Sequence, residues 1–204
     1  FQSIGSGIRY VFNKQELLGA FSLDMFAVLF GGAIAMLPVF ASDILKVGPE
    51  GLGVLRACPA IGAILMSVYL TFNPPVGRSG RLLLTSVAGF GICMIVFAVS
   101  KNFYLSAASL LLSGSLDFVS VVIRGSILQL YTSDEMKGRV SSVNSIFIGS
   151  SNELGAFESG AAASLMGLVP SVVFGGVMTL IVVGVATASA PKLRRLSLIN
   201  SVVE

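Results

Sequence analysis

Six ionisable side chains stand inside segments that are otherwise apolar: Asp24, Arg56, Asp117, Arg124, Glu153 and Glu158. A charge at the bilayer centre costs roughly 2.5 to 3.5 kcal/mol on insertion scales, so such groups mark ion pairs, polar paths or proton exchange. Asp117 and Arg124 belong to a stripe of Ser106, Ser109, Ser113, Asp117, Ser120 and Arg124, recurring at helical steps of three and four. The two charges share a face but lie about 10 Å apart along it, too far for a direct bond. The stripe therefore reads either as a substrate or ion path or as a row of structural contacts to neighbouring helices. Asp24 and Arg124 lie at similar depths from the same membrane face and suit an interhelical ion pair. Arg56, near the end of its segment, can snorkel to water.

A second polar pattern follows. Asn144/Ser145, Ser151/Asn152 and Glu158/Ser159 recur every seven residues. Glu158 falls on one stripe with Asn144 and Ser151, whereas Glu153, five residues away, points elsewhere by about 140°. A carboxyl on a stripe reached by water can carry a proton, and Glu158, without a basic partner at its depth, is the first candidate. Bracing of neighbouring helices is the alternative for both glutamates.

These residues need elements to hold them. Of 204 residues, 54% are hydrophobic and 11% charged, against about 45 to 50% and about 25% in soluble domains, which points to an integral membrane protein. Six apolar segments, 17–41, 52–72, 82–99, 103–131, 140–168 and 171–190, are near or above the roughly 20 residues of a spanning helix. Gly, Pro and charge clusters separate them, and strand periodicity is absent, so the expected fold is an all-α membrane protein of six transmembrane helices.

The chain has no histidine or tryptophan, and Cys58 and Cys93 are isolated in apolar runs. No metal, redox or other cofactor site is expected. The basic residues are spread over several loops, which gives nucleic-acid binding no support. No nucleophile and base are suggested, so an enzyme is not expected.

Orientation follows from Lys and Arg. With the N-terminal side cytoplasmic, Arg9, Lys14, Arg78, Arg81, Lys137, Arg139, Lys192, Arg194 and Arg195 lie inside, against Lys46 and Lys101 outside. Both termini are expected in the cytoplasm. Ser22-Leu-Asp-Met-Phe-Ala-Val28 is echoed by Ser115-Leu-Asp-Phe-Val-Ser-Val121, an offset of 93 residues, which suggests two inverted three-helix repeats. Charge falls in the first, second, fourth and fifth segments, expected to line an interior, and spares the third and sixth, expected at the lipid side. Residues 1–16 read as a cytoplasmic linker, 17–190 as the transmembrane domain and 191–204 as a cytoplasmic tail. The opening at Phe1 suggests a linker cut open, with a preceding part of a longer protein missing.

Two short motifs carry a resemblance. Arg78-Ser-Gly80-Arg81 is similar to the end of the cytoplasmic loop motif of the major facilitator superfamily, with Gly77 where an aspartate usually stands. Met136-Lys137-Gly138-Arg139-Val-Ser resembles the loop after that superfamily's tenth helix, and the run 139–160 resembles bacterial exporters of the enterobactin-exporter-like, transmembrane-effector branch. The likeness covers nearly the whole chain as a C-terminal half, helices seven to twelve. It implies alternating access against a missing N-terminal half of the same transporter. It also implies proton-coupled export of a small amphipathic molecule, such as a drug or siderophore, across the cell inner membrane. Membrane lipid, that half, a small-molecule substrate and the proton are the expected partners. The expected pathway residues are Asp24, Asp117, Arg124, Asn144, Ser151, Glu153 and Glu158. A non-transporting membrane scaffold or assembly protein is the alternative.

Overall fold

Gly31 interrupts the first long apolar segment. The computed structural model describes residues 2–75 and 77–196. In it α2 (Gln15–Phe30) stops at Gly31, and the chain continues through a 3-10 turn (Gly32–Met36), the short α3 (Leu37–Val39) and a π turn (Phe40–Ile44). Two adjacent glycines weaken the helix and Pro38 removes an amide donor, so a continuous α-helix is not maintained there. Irregular backbone at membrane depth is tolerated where it is buried in protein or lines a cavity.

The other long helices have plainer boundaries. α4 (Pro49–Phe72) starts on a proline, whose fixed φ suits a first turn. α5 spans Ser79–Val99. α6 (Phe103–Tyr131) is capped by Asn102, whose side-chain oxygen accepts from the N–H groups of Tyr104 and Leu105 at 2.9 and 3.3 Å. α7 (Asp134–Met166) ends at Gly167, whose φ of 89° lies in the region that favours glycine. α8 spans Leu168–Ser189. Short terminal helices α1 (Gln2–Asn13) and α9 (Pro191–Arg195) flank this set. Phe1 of the expected linker and residues 197–204 of the expected tail lie outside the described residues.

Among the described residues there is no strand, and five helical stretches are long and apolar enough to cross a membrane: Leu17–Ile44, Pro49–Phe72, Ser79–Val99, Phe103–Tyr131 and Leu168–Ser189. The protein is thus an all-α, multi-pass membrane protein. The remaining expected segment, 140–168, forms α7, which is 33 residues long but more polar than these five. α7 also starts earlier than the sequence suggests. Asp134 and Glu135 fill its first turn, where acids favour the helix dipole, so Lys137, Gly138 and Arg139 sit on a helix rather than in a loop.

α6 packs against α4 and α5, α2 packs against α7 and α8, and α5 and α8 pack on each other. Small residues permit the closest contacts. Gly62 of α4 lies against the Leu111 carbonyl of α6, and Gly155 of α7 lies against the carbonyls of Val28 and Leu29 in α2. α5, whose one charge is Arg81 in its first turn, and the charge-free α8 each keep an exposed apolar side, with Ile92 and Val99 on one and Val177, Ile181 and Val185 on the other.

The terminal helices dock on the two loop motifs. Tyr10 and Lys14 donate to the Tyr131 carbonyl at 3.2 and 3.0 Å, satisfying the open C-terminus of α6. Arg139 donates to the Ser6 hydroxyl at 3.3 Å. Lys137 pairs with Asp134 at 2.6 Å, and that hydrogen bond holds the exposed Asp134 carboxyl below its ordinary range. At the other motif, the N–H of Gly80 donates to the Leu196 carbonyl at 3.1 Å, and Gly80 lies directly against the Leu193 carbonyl of α9. Arg78 and Arg81 are exposed. Gly80→Ala would drive a methyl into that carbonyl and is expected to cost about 1 to 3 kcal/mol, read as a lowered unfolding temperature in detergent. An unchanged unfolding temperature would remove α9 from the packed structure.

Candidate functional site

Asp24 of α2 and Arg124 of α6 form an ion pair, with side chains only 7% and 8% exposed. The pair joins the two helices, and each charge answers the other's desolvation. Arg124 also acts electrostatically on Asp117, seven residues earlier on the same helix. Its Nε has no hydrogen-bond partner among the described residues.

Asp117 borders a cavity of about 380 Å³ at the break in α2. Val28, Gly31, Ile34, Ala35, Phe90, Asp117, Asn152 and Ala156 line it, so walls from α2, the 3-10 turn, α5, α6 and α7 converge there. One carboxylate and one amide stand in an otherwise apolar lining. That composition suits a small molecule with an apolar body and a polar or cationic group, and the size falls within the roughly 300 to 1,000 Å³ of ligand pockets. A second chamber of about 20 Å³ lies beside it, bordered by Asp24, Ser86, Phe90, Asp117 and Ser120 among others. Val28, Phe90 and Asp117 border both spaces.

The structure therefore brings together Asp24, Arg124 and Asp117, and leaves the other expected residues apart. Ser151 is buried and its hydroxyl donates to the Phe147 carbonyl of its own helix at 2.7 Å. Asn144 is half-buried and Glu153 is exposed. Glu158 is half-buried, and it projects from α7 well away from Asn152, by about 120° around the helix. None of these four borders either cavity.

The serine stripe of α6 is mostly a packing seam. Ser106, Ser109, Ser113 and Ser120 are buried. Ser109 and Ser113 donate to the carbonyls of Leu105 and Leu110 at 2.8 and 2.7 Å. Asp117 is the stripe's exposed member. Ser86, Phe90 and Asn152 belong to the site although the buried charges of the sequence do not point to them. Asn152 carries a signal of its own, since it neighbours Ser151 in the seven-residue pattern, and Gly31-Gly32 in an apolar run is the signal for a discontinuous helix beside a site.

A chain of hydrophobic helices with a paired charge in its interior and an acid-lined cavity at a helix break has the build of a membrane transporter. The family comparison agrees. The profile of the transmembrane secretion effector family, a branch of the major facilitator type, matches residues 1–202, and the chain belongs to that family. No curated protein and no solved structure matches the chain.

Proposed function

We propose that the protein is the C-terminal half of a secondary transporter that exports a small amphipathic molecule by alternating access, driven by an ion gradient, with the proton as the expected coupling ion. The observation that carries this reading is the cavity at the α2 break, where Asp117 and Asn152 stand among apolar walls in a chain of the secretion effector family. Asp117 and Asn152 orient the substrate, and Asp24 and Arg124 hold α2 to α6 beside it. Glu158 remains a second candidate proton carrier.

In this reading six helices cross the membrane as two inverted triplets, with the more polar α7 as the fifth span in chain order. The packing supports it. α6 is flanked by α4 and α5 as α2 is flanked by α7 and α8, and α5 meets α8. Gly62 and Gly155 are 93 residues apart, the same offset as Asp24 and Asp117, and each meets the backbone of a helix from the other triplet. Asp24 and Asp117 themselves border one chamber. The missing N-terminal half completes the substrate cavity, and Glu153 and Asn144 are free to serve that contact.

Both termini face the cytoplasm of the cell whose inner membrane holds the protein. In a Cys58→Ala/Cys93→Ala background, single cysteines at the exposed Gly77 and Ser133 are expected to resist an impermeant thiol reagent in intact cells, and one at the exposed Lys101 to react. Reaction at Ser133 from outside would overturn the topology. For transport, the full-length protein is reconstituted in liposomes and a panel of amphipathic fluorescent molecules is followed under imposed ion gradients. Gradient-dependent movement supports export. No movement of any panel member, from folded protein, favours the scaffold reading.

A further inference from the structure

The small chamber beside Asp117 has its own chemistry. It lies between α2, α5 and α6, with Asp24, Ser86, Asp117 and Ser120 as its polar border. Its volume, about 20 Å³, is enough for one water-sized particle, which needs roughly 10 to 15 Å³ of such space. Ser120 is 2% exposed, borders this chamber, and its hydroxyl has no hydrogen-bond partner among the described residues. A buried hydroxyl left unsatisfied is costly, and groups of this kind mark the seat of a bound water or ion.

Charge narrows what that particle is. Asp24 and Arg124 neutralise each other, which leaves Asp117, when ionised, as one net negative charge at the chamber. No charged residue of α5 borders the chamber, where Ser86 is that helix's polar contribution, and the α7 residue facing Asp117 across the larger cavity is the neutral Asn152. A single positive charge balances the group, whereas a divalent ion would leave an excess beside the Arg124 guanidinium. The donors are carboxylate and hydroxyl oxygens, which suit hard cations and not soft metals.

We propose that the chamber between Asp24, Ser86, Asp117 and Ser120 binds one monovalent cation, either sodium or a proton carried on a bound water, and that this is the seat of the coupling ion. The site stands on its own geometry; the coupling role rests on the transport reading above. Asp117 is the entry, because it borders both the chamber and the larger cavity through which an ion arrives. Asp24 comes from the first triplet and Asp117 and Ser120 from the second, so an ion between them ties the two triplets together. Occupancy therefore biases the arrangement that alternating access must change.

The test uses full-length protein in nanodiscs, with sodium chloride replacing choline chloride at constant ionic strength. In the sodium case the unfolding temperature rises saturably with sodium. Asp117→Asn loses that rise, and Ser120→Ala, which removes one hydroxyl from the chamber, moves half-saturation up by about tenfold. In the proton case sodium has no effect. Mild acidification, followed with a pH dye, then drives uptake of a proton that Asp117→Asn lacks and that Ser120→Ala takes up at a shifted pH. Should Asp117→Asn fail to fold, the Ser120→Ala shift decides alone. Sodium and proton responses that are both identical in wild type and Ser120→Ala overturn the site. Gradient-driven flux retained in folded Asp117→Asn overturns the coupling role and leaves transport standing. Ion binding without flux in the wild type overturns transport and leaves the site standing.

Discussion

Replacing Arg124 with glutamine is expected to destabilise the protein by about 3 to 5 kcal/mol, because it strands Asp24 as an unpaired charge in the interior. The side chains of both partners are more than nine-tenths buried, so water cannot take over the lost contact. Asp24→Asn should harm folding in the same direction by leaving Arg124 without its carboxylate. The double variant Asp24→Asn/Arg124→Gln removes both charges and keeps two groups able to hydrogen-bond, so it should recover most of the loss. Unfolding temperature and folded yield on size exclusion measure all three. A harmless Arg124→Gln, or a double variant as unstable as the worse single, would mean that the pair does not hold α2 to α6.

That pair is legible in the sequence, since both residues lie at similar depths on helices of opposite direction. The all-α character is equally plain from composition, and Asn102 with Thr132-Ser133 delimits α6 at Phe103–Tyr131 because capping chemistry is local. What is harder to read is tertiary. Ser109 and Ser113 recur at the same spacing whether they face water or return their hydroxyls to their own helix, so polar periodicity does not separate a wet face from a packing seam. The Gly31-Gly32 pair marks where the first apolar run can break, but spacing alone does not place Ile34, Ala35 and Asn152 around one cavity there. Gly80 reads as part of a loop motif, while its contact with Leu193 depends on a tail 113 positions away that sequence spacing does not place. Hydropathy puts the start of α7 at Val140 because the preceding turns are charged, yet Asp134 and Glu135 stabilise those turns.

Filling the cavity at the α2 break should stop transport more completely than any change outside it. Ala156 is half-buried and borders that space, so a tryptophan there occupies the volume between Asp117 and Asn152 without touching the Asp24–Arg124 pair. Leu165, at 86% exposure on the same helix, provides the matched control, since a tryptophan there leaves the cavity open. The decisive measurement is gradient-driven flux of a transported amphipathic molecule by the full-length protein in liposomes, compared across wild type, Ala156→Trp and Leu165→Trp at equal amounts of folded protein. A substrate path through this cavity predicts flux in wild type and Leu165→Trp, and the level of empty liposomes in Ala156→Trp. Undiminished flux in folded Ala156→Trp would contradict it and place the substrate path elsewhere.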